Sequence, residues 1–288
     1  MELFRALASL SETPASAAVP LADALEIGPV ADEGEYTDLF IFQLPPYASI
    51  YLGAEGMIGG PARELIAGFW RTLKAEPPKE PDHLATMLAL YARLSELEEG
   101  ESEPLRRESL RRARTAFLWE HLLSWLPVYL SKLDQIAAPF YRRWGEILLE
   151  ALRSEACASD GCAQLPLHLR EAAGLIDPRA GGEVKEFLRS LLSPVQSGMI
   201  LTRFDLSRAG RELDLGLRMG ERAFVLKAIL AQESEGVLAW MANEASCWAK
   251  LHRANRRWLG KVAAYWEERA VATRKLLEEL RAEAREAL

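Results

Sequence analysis

The chain has 288 residues, 49% of them hydrophobic, which is enough apolar material for a substantial core and excludes a disordered protein. Its formal net charge of -7 at pH 7 disfavours nonspecific binding to nucleic acid or anionic lipid and suits a basic peptide partner better. No apolar run reaches the ~20 residues of a membrane-spanning helix. With three cysteines, no disulfide framework and no basic, apolar secretion signal at the N-terminus, we expect a cytoplasmic protein.

Helical periodicity begins near the N-terminus. The sequence predicts one or two helical turns over residues 3–10 and a short helix over residues 32–42. Pro61 stands at a first helical position, and apolar residues at i, i+3, i+4 and i+7 behind it predict a core-facing helix over residues 61–73. Prolines then forbid continuation, and a further helix is predicted to begin at Asp82 and to run to Leu94.

An apolar, glycine-rich segment precedes the helix at Pro61. Pro45 and Pro46 favour extended or turn geometry there, and four glycines allow left-handed turns, so no regular structure is expected. The segment is nevertheless too apolar for an ordinary solvated loop. Its side chains either cover a core or await a partner.

The remainder of the chain is also predicted to be helical. A long helix is predicted from Leu105, with a kink or an end at Pro127, and Pro139 opens the next. Shorter helices are predicted over these ranges: 167–175, 183–192, 203–215, where Thr202 and Asp205 form a capping-box pattern, and 221–230. Residues 237–288 lack proline and predict one very long helix, or two collinear helices weakened at Gly260, with a seam from Trp248 to Tyr265 that packs on its own bundle or on a second copy.

No convincing strand pattern is present, so the fold class is all-α. We expect a helical bundle over residues 1–155, and a C-terminal helical region over residues 156–288 that packs on it as one globular unit. The oligomeric state is expected to be a monomer or a homodimer.

Several motifs together resemble the TorD/DmsD family of redox-enzyme maturation chaperones. They are PPYASIYLG, EGMIGGP, IAGFW, EPDHL and FLWEHLLSWLP, and the similarity covers about residues 33–144. The family pattern is usually Glu-Pro-any-Asp-His, whereas Glu80-Pro81-Asp82-His83 has no intervening residue. The resemblance implies a TorD-like helical bundle with a long C-terminal segment. It also implies a non-catalytic chaperone that binds the precursor of a molybdenum oxidoreductase, often at its twin-arginine signal peptide, until the cofactor is loaded.

With this resemblance, a peptide-binding site is the favoured interpretation of the same stretch. A carboxylate can pair with an arginine guanidinium by a bidentate bond, and the apolar segment offers a matching surface for the apolar run of a leader. The predicted peptide-binding residues are Tyr47, Ile50, Tyr51, Met57, Glu80, Asp82 and His83. No catalytic residue, metal ligand or cofactor is predicted.

The alternative function is a helical small-ligand-binding protein or enzyme with a site around Asp82, His83 and His121. A carboxylate next to a histidine raises its pKa and favours acid–base chemistry. His121 has no histidine at i+4 to complete a helical metal pair, so it is assigned to packing.

Other candidate sites have simpler interpretations. Cys157 and Cys162 with His168 have metal-like content but loose spacing, and are interpreted as loop residues, while Cys247 is interpreted as a small buried residue. The basic and aromatic residues from His252 to Trp258 are interpreted as a salt-bridged face, not a nucleic-acid site. The glycine spacing from Gly53 to Gly59 lacks the context of a phosphate-binding loop, so nucleotide binding has no support.

Overall fold

A computed structural model describes residues 2–54, 56–159, 161, 164–181 and 183–286, and these residues form sixteen α-helices and no strand. The prediction of an all-α fold is confirmed. The helices are α1 (Glu2–Leu10), α2 (Val19–Ala24), α3 (Glu33–Tyr36), α4 (Ala48–Leu52), α5 (Gly60–Thr72), α6 (Leu84–Gly100), α7 (Pro104–Phe117), α8 (Leu126–Ile136), α9 (Pro139–Ala158), α10 (Leu167–Arg170), α11 (Val184–Leu192), α12 (Pro194–Ser197), α13 (Arg203–Glu212), α14 (Arg222–Gln232), α15 (Ser234–Leu259) and α16 (Lys261–Glu286). Among the residues described, no helix combines the length and apolar character needed to cross a bilayer.

The helices group into two compact units. The first comprises the chain up to Ser49 together with Ile58–His168, and the second comprises Ile50–Met57 together with Leu169–Leu288. The division in the C-terminal half therefore falls after His168, whereas the sequence suggested residue 155. Residues of the apolar segment after Ser49 are grouped with the C-terminal helices, which the sequence did not suggest.

The first unit is built around large aromatic side chains. Its helices α1, α6, α7, α8 and α9 pack on one another, and the indole of Trp144 donates to the Leu7 carbonyl at 2.9 Å. The hydroxyl of Tyr129 donates to the Leu44 carbonyl at 3.2 Å. Each of these buried polar tips thus has a partner, which is what makes the burial of such rings favourable.

The predicted long helix from Leu105 is wrong in its length. Helix α7 ends at Phe117 and is followed by a π-helical turn over Leu118–Leu122, and a new helix begins at Leu126. Pro127 is the second residue of α8 and not the end of the preceding helix. Proline fits there because the amides of a first helical turn have no intrahelical acceptor. The helix predicted over residues 167–175 is likewise shorter, ending at Arg170.

The second unit centres on the two longest helices, which were predicted to form one helix or two collinear ones. They instead run antiparallel, as shown by ion pairs between Arg253 and Glu267 at 2.8 Å and between Arg281 and Glu235 at 3.0 Å. Gly260 reverses the chain with φ 53° and ψ −117°, a conformation that side chains other than hydrogen resist. The predicted weakness at Gly260 is therefore a turn, and α15 packs along α16.

Candidate functional site

The two signature segments PPYAS and EPDHL lie side by side in the first unit. The Ala48 amide donates to the Asp82 carbonyl at 3.0 Å, and the Leu84 amide donates to the Pro46 carbonyl at 2.8 Å. These bonds form an isolated antiparallel bridge between Tyr47 and His83, whose rings meet edge to face at 4.9 Å. The tertiary structure thus joins two motifs that are more than thirty residues apart in the sequence.

Asp82 is an interior residue. Its side chain is buried, with 1% of the residue exposed, and its Oδ2 accepts the backbone N–H of Ser49 at 3.3 Å. The hydroxyl oxygen of Ser49 in turn accepts the N–H of Gly59 at 3.0 Å, closing the neck of a loop over residues 49–59 that we call the motif loop. The Asp82 carboxylate therefore holds the start of the motif loop.

Helix α6 begins differently from the prediction, which placed Asp82 in its first turn. The helix begins at Leu84, and Nδ1 of the cap residue His83 accepts the N–H of Ala85 at 3.3 Å. An acceptor at Nδ1 leaves the proton of the neutral ring on Nε2. Asp82 precedes the cap and is free to bind Ser49 because His83 supplies the capping acceptor.

The charge of His83 also differs from the expectation. Burial lowers the pKa of His83 below its ordinary value, although the charges of Glu80, Glu12 and Asp82 act in the opposite direction. The neighbouring carboxylate acts in the predicted direction, but the net pKa is lowered because desolvation of the charged ring outweighs it. A neutral His83 leaves residues 80–83 with net negative charge at pH 7.

Glu80 and Tyr47 keep solvent-accessible surface next to the bridge between the two segments. Glu80 is exposed and Tyr47 is half-buried. Burial raises the pKa of Tyr47 to about 12, and the charge of Glu80 and a side-chain hydrogen bond with it contribute in the same direction. The tyrosine hydroxyl is therefore neutral at pH 7.

The apolar residues of the motif loop divide into buried and exposed ones. Ile50 and Tyr51 are 8% and 2% exposed. They lie on the short helix α4, whereas the sequence predicted only irregular structure there. Met57 is 61% exposed and Ile58 is 60% exposed. Of the seven predicted site residues, Tyr47, Met57, Glu80 and His83 keep accessible surface, while Ile50, Tyr51 and Asp82 belong to the interior.

His121, proposed for the alternative site, belongs to a different cluster of the first unit. Its Nδ1 lies 3.2 Å from Nε2 of His168, and the rings of Phe69 and Phe117 pack against it. Burial lowers the pKa of His121 to about 3, with a contribution from the charge of His168, and burial lowers the pKa of His168 to about 4. The sequence assigned His121 to packing but could not identify a partner 47 residues away.

A cavity of about 630 Å³ lies in the first unit along α7 and α9, and Asp82, His83 and His121 do not line it. Its charged groups already bind one another: Arg114 pairs with Glu155 at 2.6 Å, and Arg112 pairs with Glu108 at 2.9 Å. Among the residues that the structure describes, no group of three or more His, Cys, Asp or Glu could hold a metal ion.

The sequence also made predictions about the cysteines and about the basic face of α15. Cys157 is exposed but lies in the last turn of α9, so its interpretation as a loop residue is wrong, and Cys162 lies outside the described residues. Cys247 is exposed, so its predicted burial is wrong: α15 turns its neighbour Trp248 inward, at 2% exposure. The salt-bridged interpretation of the basic face is confirmed for Arg253 and Arg256, which both bind Glu267.

Comparisons with known proteins agree with the motifs. Residues 8–130 match the family model described as nitrate reductase delta subunit. The chaperone protein TorD of Photobacterium profundum is 32% identical over 88 residues, which are 29% of this chain and 41% of that relative. The resemblance to the TorD/DmsD family is confirmed. The aligned region spans about two fifths of the TorD relative. No solved structure matched this chain.

The TorD/DmsD match covers both segments of the bridge. Tyr47, the motif loop and His83 all lie within residues 8–130. Helices α9 to α16 lie beyond the matched residues.

Proposed function

We propose that this chain is a system-specific maturation chaperone, which binds the precursor of a molybdenum-containing oxidoreductase at its twin-arginine signal peptide and assists cofactor loading before export or assembly. The observation that carries the proposal is the family match over residues 8–130, which includes the bridged PPYAS and EPDHL segments. The family is one of non-catalytic maturation chaperones. Binding, and not covalent chemistry, is accordingly the function proposed.

The charges of residues 80–83 suit an arginine-containing peptide. Glu80 is exposed and can accept a guanidinium by two parallel hydrogen bonds, while the neutral His83 adds no repelling charge at pH 7. Asp82 is buried and already accepts the Ser49 amide, so its contribution is to hold the motif loop and not to meet the peptide directly. This assigns the direct contact to Glu80.

The apolar run of such a leader requires exposed apolar side chains. Ile58 is 60% exposed and precedes Gly59, whose amide is tied to Ser49. Because the backbone is already fixed here, a bound peptide has to order only the Ile58 side chain and not the loop. The half-buried ring of Tyr47, which belongs to the bridge, adds accessible apolar surface in the same unit.

Isothermal titration with synthetic peptides tests this function. The probe carries two consecutive arginines followed by a leucine-rich run, and the control peptide has glutamine at both arginine positions. We expect the arginine peptide to bind about tenfold more tightly at low salt, since exposed ion pairs contribute up to ~1 kcal/mol each, and the difference to shrink as salt rises. Equal affinity of the two peptides would contradict twin-arginine recognition.

A further inference from the structure

The tip of the motif loop is held by two side chains of the second unit. The Ser193 hydroxyl donates to the Gly53 carbonyl at 3.2 Å, and Nε2 of Gln196 donates to the Ala54 carbonyl at 2.9 Å. Both side chains are buried, with Ser193 at 1% and Gln196 at 6% exposure. They come from the junction of α11 and α12, and both lie outside the residues matched by the family model.

These bonds meet a requirement of the loop backbone. Helix α4 ends at Leu52, so the carbonyls that follow it need hydrogen-bond donors from elsewhere. Gly56 then turns the chain with φ +61°, and its amide donates to the Gly53 carbonyl at 3.2 Å. The Gly53 carbonyl therefore receives one bond from within the loop and one from Ser193.

The short helix α12, which carries Gln196 and is preceded by its cap residue Ser193, is itself held in place. The Tyr265 hydroxyl donates to the Val195 carbonyl at 2.7 Å, and the Thr273 hydroxyl donates to the Ser197 carbonyl at 2.7 Å. Both donors belong to α16, so α12 is fixed on the long helical pair of the second unit. A donor on such a rigid support orients its acceptor at low entropic cost.

We infer that Ser193 and Gln196 are positioning residues, which fix the conformation of the motif loop and thereby set the affinity of the chaperone for its peptide. The effect on peptide affinity rests on the proposed function, whereas the effect on the loop conformation does not. The C-terminal helices, which the family match does not cover, thus take part in peptide recognition without contacting the peptide through these residues.

The test compares Gln196→Met with a matched control, Gln232→Met, in the full chain. Gln232 also bonds a loop backbone in the second unit, through Gly216, but does not touch the motif loop. Amide hydrogen exchange of residues 53–59 is measured first. We expect faster exchange at Gly56 in Gln196→Met, and exchange as in wild type in Gln232→Met. Ser193→Ala provides a second, smaller perturbation of the same loop should Gln196→Met fail to fold.

Peptide titration is the second measurement. We expect Gln196→Met to bind the arginine peptide roughly threefold to tenfold more weakly than the control variant, the factor that corresponds to one neutral hydrogen bond. Unchanged exchange of the loop in both Gln196→Met and Ser193→Ala would overturn the positioning role. Absence of binding by the wild-type chain would instead contradict the proposed function and leave the loop result to decide the positioning role by itself.

Discussion

The carboxylate of Asp82 accepts the backbone N–H of Ser49 at 3.3 Å, although the two residues are 33 positions apart. Because both groups are buried, this bond links the EPDHL segment to the start of the motif loop where water does not compete for either partner. It accounts physically for the joint presence of the PPYAS and EPDHL motifs. Under the proposed function, Asp82 affects peptide binding through the loop it holds, without contacting the peptide.

Removing this carboxylate should destabilise the first unit. For Asp82→Ala we expect the free energy of unfolding to fall by about 1.5–3 kcal/mol, since the buried Ser49 amide loses a charged acceptor. The control is Asp38→Ala, an exposed carboxylate of the same unit, for which a change within about 0.5 kcal/mol is expected. Urea unfolding of the three proteins provides the comparison. Equal stabilities would show that the bond to Ser49 contributes nothing.

Glu80 should carry the salt dependence of peptide binding. Glu80→Gln preserves shape and removes the exposed charge, so the affinity for the twin-arginine probe should fall about threefold to fivefold at low salt, and the salt dependence should diminish. Glu150→Gln, an exposed position on α9, should leave both unchanged. The titrations are made at two salt concentrations. A Glu80→Gln protein with the full wild-type salt dependence would place arginine recognition elsewhere.

The buried histidine pair should make stability depend on pH. The folded pKa of His168 is about 4 against an ordinary value of 6.5, so its contribution is fully present above pH 6.5 and is lost as the pH falls towards 4. His168→Gln removes this titration and can still bond His121. Between pH 6.5 and 5, wild type should lose about 1.5 kcal/mol more stability than the variant. Urea midpoints at the two pH values measure this. Identical losses in wild type and variant would mean that His168 takes up its proton as readily in the folded protein as in the unfolded chain.

Gly198 and Gly181, both in the second unit, both have positive φ, but only Gly198 is packed closely against another backbone. Substituting each by alanine therefore separates the energetic cost of the clash from the cost of backbone strain. Gly198 has φ +75°, and a Cβ there would lie 2.3 Å from the Ala270 amide nitrogen. The Gly198 carbonyl also accepts a hydrogen bond from Nε2 of His252 at 2.8 Å. Gly181 has φ +88° with nothing within 4 Å. We expect Gly181→Ala to cost about 1–2 kcal/mol from backbone strain alone, and Gly198→Ala several kcal/mol, because α12 must also move away from α16. Chemical unfolding tests this, and similar costs for both variants would mean that α12 relaxes easily.

Local patterns were sufficient for most of the secondary structure. The helical periodicity behind Pro61, the capping box of Thr202 and Asp205, and the proline that opens α9 predict helices that the structure contains. These signals are reliable because capping and proline geometry involve residues only a few positions apart. The all-α class follows from them. The motif strings likewise led to the TorD/DmsD family, which residues 8–130 match.

Burial and pairing were decided by the tertiary structure. No local rule distinguishes an Asp82 that meets solvent from one that binds Ser49, or a Gly260 that weakens a helix from one that reverses it. The His121–His168 pair and the bonds from Ser193 and Gln196 to the motif loop join residues between 47 and 142 positions apart. The sequence by itself thus determined most of the helices and the resemblance to the TorD/DmsD family, whose signals are local. Only the packed chain determined which side chains of the motif are accessible and which hold it, because contacts between distant residues depend on all the intervening packing.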